Sequence, residues 1–306
     1  MTLQSLFSPD NIVLKMHGLG NDHVVLQDSG EELTTEMVQR IGSRRRGVGS
    51  DGVIAVMPSR TPDAQYRMKF FNSSDGKIAE MCGNGIRCFA RYLWETGIEI
   101  GGGEMPVDTD AGVKRVEIAT YNTKDFQVRV DMGPPILYNP KQVAIEPGSC
   151  GLVQVSLPYY EENQKTKVLT GVYISMGNPH FVTFIEKGLA AQFASKFGKA
   201  MENNLQLFPQ KANIEYVEVN GEHDLTMHVW ERGEGITEAC GTGACASAVA
   251  ATLLGYVKNH STVHLPGGDL RIEWKGEKED HVYMTGPAAT SFEVKGLTKY
   301  LINQTS

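Results

Sequence analysis

Apolar and polar positions alternate, or run briefly apolar, at residues 65–71, 113–119, 126–132, 172–175, 181–185, 214–219, 225–230, 262–265, 270–274 and 281–284. Runs of this length predict strands. Helical spacing is clear in three places. After Cys82, the residues Ile86, Phe89, Ala90, Leu93 and Trp94 recur at i, i+3, i+4, i+7 and i+8, with Arg87 and Arg91 on the opposite face and Gly97 as a stop. Residues 190–201 form a second helix. After Cys240, the segment ACASAVAATLLG is small and apolar nearly all round, which predicts a helix buried on every side and stopped by Gly255. A shorter helical pattern at 36–41 precedes Arg44-Arg45-Arg46, read as cations favouring a helix C-terminus. Strands outnumber helices and do not alternate with them regularly, so the fold class is α+β. The stretch MGPPILYNP at 132–140 reads as a linker, because its prolines break both ladders and helices.

Length and charge narrow the possibilities. A chain of 306 residues that is 41% hydrophobic can bury a large core and suits two domains. It has no run of eighteen or so apolar residues and no basic stretch followed by an apolar one at its start, so neither a membrane span nor a signal peptide is expected, and the expected location is cytoplasmic. A net charge of −7 argues against nucleic acid or an anionic membrane as partner and favours a small molecule. Five cysteines, an odd number without a secretion signal, point to thiols rather than a disulfide framework. Their spacing also departs from the about two to four residues usual at zinc knuckles, and no metal is expected.

Two of those cysteines lie in the same frame, Glu-x-Cys-Gly-x-Gly: EMCGNGIRC from Glu80 and EACGTGACA from Glu238. Each frame opens a predicted helix, and the two lie on either side of the proline-rich stretch, which reads as a duplication at domain scale. A thiol at a helix N-terminus meets unpaired N–H groups and the positive end of the dipole, which lowers its pKa. The adjacent glycines let an anion approach the backbone. Two such thiols facing one carbon can remove a proton from one side and return one to the other, which is racemisation or epimerisation. The plainer alternative is that Cys82 and Cys240 are small buried hydrophobes.

Seven motifs in order, HGLGNDHVVL (17–26), GVGSDGV (47–53), FFNSSDG (70–76), EMCGNGIRCFARYL (80–93), SMGNPHFVTF (175–184), NIEYVEV (213–219) and WERGEGITEACGTGACA (230–246), give the chain a close resemblance to the diaminopimelate epimerases, which act without a cofactor. The resemblance implies two pseudo-symmetric domains, each a curved, mostly antiparallel sheet wrapped around a central helix, with the active site in the cleft between them. It implies an N-terminal domain of residues 1–133 plus 288–306 and a C-terminal domain of 134–287, in a homodimer. By matching position, Cys82 and Cys240 are similar to the two acid–base residues of the family. Gly83, Asn84, Gly241 and Thr242 then bind the carboxylate at the reacting centre, and Asn21, Asn72, Asn178, Asn213, Glu231 and Arg232 hold the rest of an amino-acid substrate. Arg232 suits a carboxylate and Glu231 an ammonium. His180 either assists a thiol as a base or only hydrogen-bonds a loop. The loop from Asn72 to Cys82 is one residue longer than the usual pattern. Rival readings are a racemase of another amino acid, such as histidine or proline, on the same scaffold, a cysteine hydrolase, and a non-catalytic small-molecule binding protein.

Overall fold

A computed structural model describes residues 12–28, 33–98, 103–121, 125–146, 148, 154–160 and 166–297. The chain divides into two compact units, Met1–Val130 with Thr285–Ser306, and Asp131–Met284. In chain order the elements are β1 (Leu14–Gly18), β2 (Asn21–Gln27), α1 (Thr35–Gly42), β3 (Gly52–Pro58), β4 (Tyr66–Asn72), β5 (Ile78–Ala79), α2 (Gly83–Glu95), β6 (Glu104–Thr109), β7 (Gly112–Tyr121) and β8 (Phe126–Gly133). There follow β9 (Gln154–Tyr160), β10 (Thr166–Ser175), β11 (Pro179–Phe184), α3 (Ala190–Glu202), β12 (Asn213–Gly221), β13 (Asp224–Glu231), β14 (Gly235–Ile236), α4 (Gly241–Leu253), β15 (His260–Leu265), β16 (Gly268–Glu273), β17 (Val282–Pro287) and β18 (Ala289–Glu293).

The two units repeat one wiring. In the first, β1 pairs antiparallel with β2, β2 parallel with β3, β3 antiparallel with β4, and β4 antiparallel with β5 and parallel with β6, which pairs antiparallel with β7. In the second, β10 to β16 repeat those relations one for one. The parallel steps fall where helices intervene, since a parallel partner cannot be reached by a tight turn. Thus α1 crosses from β2 to β3 and packs on β3, and α3 crosses from β11 to β12 and packs on β12. The other two helices are central. α2 packs against β1, β2, β3, β4, β7 and β18, while α4 packs against β10, β11, β12, β13, β15 and β16. A sheet that touches one helix from so many strands wraps around it, and both helices are buried accordingly.

The ten predicted strands and four helical segments are present, and the α+β class holds. Three expectations change. Arg87 and Arg91 do not face solvent: Arg87 is fully buried, and donates to the carbonyls of Gly83 (3.0 Å) and Pro287 (2.9 Å) and to Asn84 Oδ1 (2.9 Å). Arg91 donates to Ala288 O (2.6 Å) and pairs with Glu95. The guanidinium fork reaches past the apolar stripe of α2 to carbonyls at the foot of β18, which itself pairs antiparallel with β1. Arg44 lies beyond the end of α1 and makes a bidentate pair with Asp22 (2.9 and 3.0 Å) and a contact to Asp51 (2.5 Å), so carboxylates rather than a helix end hold it. The proline-rich stretch is docked, with Ile136 and Ser175 exchanging both backbone hydrogen bonds (2.8 and 2.9 Å). Among the described residues, no helix is long and apolar enough to cross a membrane.

His23, in the middle of β2, is fully buried beside the edge of Phe70, and neither ring nitrogen has a hydrogen-bond partner. Burial pushes its pKa down to about 3, with Lys15 and Arg87 adding to the effect and Asp22 opposing it. The unfolded chain therefore binds this proton near pH 6.5 and the folded chain only near 3, so stability is complete above about 6.5 and is lost as the pH falls. Urea unfolding should show a loss of about 2 kcal/mol between pH 6.5 and 5 that is absent in His23→Phe. Parallel pH slopes for the two proteins would remove His23 as the source.

Candidate active site

Each central helix begins at a cysteine. Cys82 and Cys240 are the N-cap residues of α2 and α4, both in extended conformation, with φ/ψ of −133°/116° and −120°/108°. Each sulfur accepts the N–H of the third residue along, Gly85 at 3.3 Å and Gly243 at 3.4 Å. Sulfur thus takes the place that Ser, Thr or Asp usually occupies at a cap. Cys82, Cys88, Cys240 and Cys245 are not in disulfides, and Cys150 lies outside the described residues.

Around Cys82 the polar side chains form a string. The thiol faces Asn21 Oδ1 at 3.8 Å, and the same oxygen accepts from Asn84 Nδ2 (3.3 Å). Asn21 is turned by its other end, since its Nδ2 donates to Asp51 Oδ2 (2.9 Å). The carboxylate of Asp22 ties this corner to Lys15 (2.7 Å) and Arg44; burial alone would raise its pKa, but those two cations hold it well below the usual carboxylate range. Asn72 ends β4, opposite Gly52 at the start of β3.

Around Cys240 the string is longer. Thr242 Oγ1 lies 3.6 Å from the sulfur and accepts from Asn178 Nδ2 (3.3 Å). Asn178 Oδ1 lies 3.0 Å from His180 Nε2, and His180 Nδ1 lies 2.6 Å from Glu215 Oε1. His180 and Glu215 are both fully buried. Asn213 donates to Pro179 O (2.9 Å) and accepts the backbone N–H of Arg232 (2.9 Å). The Arg232 side chain is exposed and reaches Gln210 O (3.3 Å). Glu231 is partly exposed as a residue, yet its carboxyl lies deep: burial pushes its pKa up to about 7, with Glu215 and Glu234 contributing and the Thr237 hydroxyl and His180 opposing.

The expected fall in thiol pKa does not occur at Cys240. Burial raises it well above the ordinary thiol value, and the Glu231 and Glu215 carboxyls raise it further, while Thr242 and the Gly243 N–H pull the other way. One helix dipole does not outweigh desolvation plus two acidic neighbours.

The repeated wiring sets the two groups in register. The parallel pairs place His23 opposite Gly52 and His180 opposite Asn213, so His23 corresponds to His180, Gly52 to Asn213 and Ile54 to Glu215. By the same count Asn21 corresponds to Asn178, each following a glycine of positive φ (Gly20, 85°; Gly177, 100°), a conformation in which an ordinary side chain is strained. Asn72 corresponds to Glu231, because Phe71 and Trp230 hold equivalent ladder positions. Glu215 and Asp51 were not singled out from sequence. The available signal for Glu215 was a lone acid in the run Ile214-Glu215-Tyr216-Val217, which is buried on both faces.

Among the described residues, no group of three or more His, Cys, Asp and Glu side chains is arranged to hold a metal. The family model described as "Diaminopimelate epimerase" matches residues 13–138 and 172–291. A diaminopimelate epimerase of Desulfitobacterium hafniense is 46% identical over 92% of this chain and 96% of its own length, and one of Moorella thermoacetica is 44% identical over 91% and 96%. Among solved structures, a probable proline racemase from Agrobacterium radiobacter superposes with a TM-score of 0.66 over 93% of this chain and 92% of its own, at 14% identity, a likeness of fold alone.

The two mouths differ in how they tolerate a methyl group. A Cβ on Gly243 would lie 2.8 Å from Glu215 Oε1, whereas one on Gly85 would lie 3.2 Å from the Ile54 Cδ1 methyl. Gly243→Ala should destabilise the protein by roughly 1–3 kcal/mol. In Gly85→Ala the better helix propensity, worth up to about 1 kcal/mol, offsets most of the strain. Chemical denaturation of both variants checks the order, and equal costs would refute it.

Proposed function

The chain belongs to the diaminopimelate epimerase family, and on that footing we propose that it interconverts LL- and meso-diaminopimelate by proton transfer at one α-carbon, using the Cys82 and Cys240 thiols on opposite faces. The observation that carries this reading is the repeated helix mouth, with one sulfur at each N-cap and one glycine N–H on each sulfur. One cysteine enters as thiolate and takes the α-proton onto sulfur, leaving a planar carbanion. The other enters as neutral thiol and gives its proton to the opposite face, and the roles reverse for the other isomer. Burial and the Glu231 and Glu215 carboxyls, which raise the Cys240 pKa, suit it to the donor role.

The carbanion needs charge neutralisation more than a cofactor. The backbone N–H groups of Gly83, Asn84, Gly241 and Thr242 at the two helix mouths, with the Asn84 and Thr242 side chains, are suited to hold the substrate carboxylate, which makes the α-proton more acidic as charge develops. Asn21, Asn72, Asn178, Asn213, Glu231 and Arg232 are assigned to the remaining groups, with Arg232 on the distal carboxylate and Glu231 toward an ammonium. Glu231 and Arg232 are consecutive at the end of β13, and Asn213 accepts the Arg232 N–H, which supports their joint use. The family resemblance further supports a cytoplasmic homodimer serving lysine and cell-wall precursor synthesis.

Incubation with LL- and meso-diaminopimelate in deuterated water tests the proposal. Turnover should place deuterium at the α-carbon, with a bell-shaped pH dependence because one thiol must be ionised and the other not. Cys82→Ala and Cys240→Ala should each lose epimerisation by at least about a hundredfold. Activity confined to histidine or proline would overturn the substrate assignment, and full activity in either alanine variant would overturn the two-thiol mechanism.

A further inference from the structure

The register between the two units exposes an inequality. The buried histidine of β2, His23, has Ile54 at the position where His180 has Glu215, and its ring makes no hydrogen bond. Both side chains reach the glycine whose N–H caps the sulfur: Ile54 Cδ1 lies 3.2 Å from the Cβ position of Gly85, and Glu215 Oε1 lies 2.8 Å from that of Gly243. Two mouths of the same design are therefore backed by a hydrocarbon in one case and by a carboxyl–imidazole pair in the other.

The hydrogen-bond string fixes the direction of that pair. Asn178 spends its Nδ2–H on Thr242, so its Oδ1 is the acceptor and His180 Nε2 must carry a hydrogen. One further proton then lies between His180 Nδ1 and Glu215 Oε1. Thr242 Oγ1, already accepting from Asn178, has its own hydrogen left to point at Cys240 Sγ. The string from Glu215 through His180, Asn178 and Thr242 ends on the sulfur. The second carboxylate oxygen of Glu215 is buried and has no partner, which is costly unless the group serves a purpose beyond packing.

We propose that Glu215 is a positioning residue that holds His180 with Nε2–H toward Asn178, aims the Thr242 hydroxyl at Cys240, and makes the Cys240 thiol unlike that of Cys82. The proposal rests on the two-thiol reading above. Glu215 faces His180 from β11, Glu231 from β13 and Cys240 from α4, and Tyr216 follows it on β12; burial raises the Glu215 pKa while His180 lowers it. Its carboxyl keeps the Cys240 proton in place until substrate arrives. The imidazole between them keeps the string oriented.

The test uses Glu215→Gln, which preserves shape, and Glu215→Asp, which keeps the charge and withdraws it by one methylene. Iodoacetamide labelling across pH, with the Cys82 and Cys240 peptides resolved by mass spectrometry, reads each thiol without substrate. In Glu215→Gln the Cys240 profile should move about one unit toward lower pH and the Cys82 profile should stay in place. With diaminopimelate, kcat should fall roughly tenfold or more at unchanged KM. Glu215→Asp should move the labelling profile less than Gln and lower kcat as well; it supplies the same readouts should the Gln variant fail to fold. A folded variant whose Cys240 profile matches that of the wild type overturns the proposal, as does a change in unfolding midpoint or KM alone. If the wild type does not turn over diaminopimelate, the substrate reading fails and the labelling result still decides the role of Glu215.

Discussion

A helix buried along its whole length still ends in N–H groups that no preceding carbonyl can satisfy. In both units the first turn of the central helix is largely buried, and in both the cap is a sulfur atom. A thiol is a weaker cap than a hydroxyl or carboxylate, so some stability is given up at both helix mouths. The rest of each unit follows from protecting that arrangement. Strands wrap the helix flanks, crossover helices sit on the outer face, and glycine turns deliver asparagines to the mouth.

Much of this was legible because it depends on local rules. The ten strands with alternating or apolar patterns and the three long helices follow from periodicity, and Gly97 and Gly255 stop α2 and α4 with positive φ as expected. The strands that were missed are of another kind. β3, GVIAVMP, is buried on both faces and has no alternation to read, and β2 mixes Asn, Asp and His with its apolar residues because Asn21 and Asp22 join the polar string near Cys82. Periodicity puts Arg87 on the face opposite the apolar stripe, but that face is not wet: the Gly83 carbonyl, Asn84 Oδ1 and the distant Pro287 carbonyl replace the water.

The site divides in the same way. The cysteines, glycines and asparagines could be named from motifs, and the structure brings Asn21 and Asn84 around Cys82, and Asn178 and Thr242 around Cys240. What could not be read is the balance of opposing electrostatic effects. At Cys240 the helix mouth favours the thiolate, but desolvation and two acids that converge from β12 and β13 win. Sequence distance hides those acids from the sulfur; only the parallel step from β11 to β12 brings Glu215 beneath Gly243. The same duplication that makes the cysteines easy to find conceals that their surroundings have diverged, from Ile54 to Glu215 and from Asn72 to Glu231.

The guanidinium groups of α2 lead to a different subject, the order in which the chain takes shape as it is made. Arg87 and Arg91 find acceptors at Pro287 and Ala288, and β1 finds a partner in β18, all supplied by residues synthesised about two hundred or more positions later. Domains generally fold as they leave the ribosome, N-terminal unit first. Here the first unit emerges with two cations that each still lack one carbonyl acceptor and with one edge of β1 open, whereas Asp131–Met284 is continuous in sequence. The first half to be translated is therefore the last to be completed, and its nascent form must keep those arginines hydrated while the second half is made.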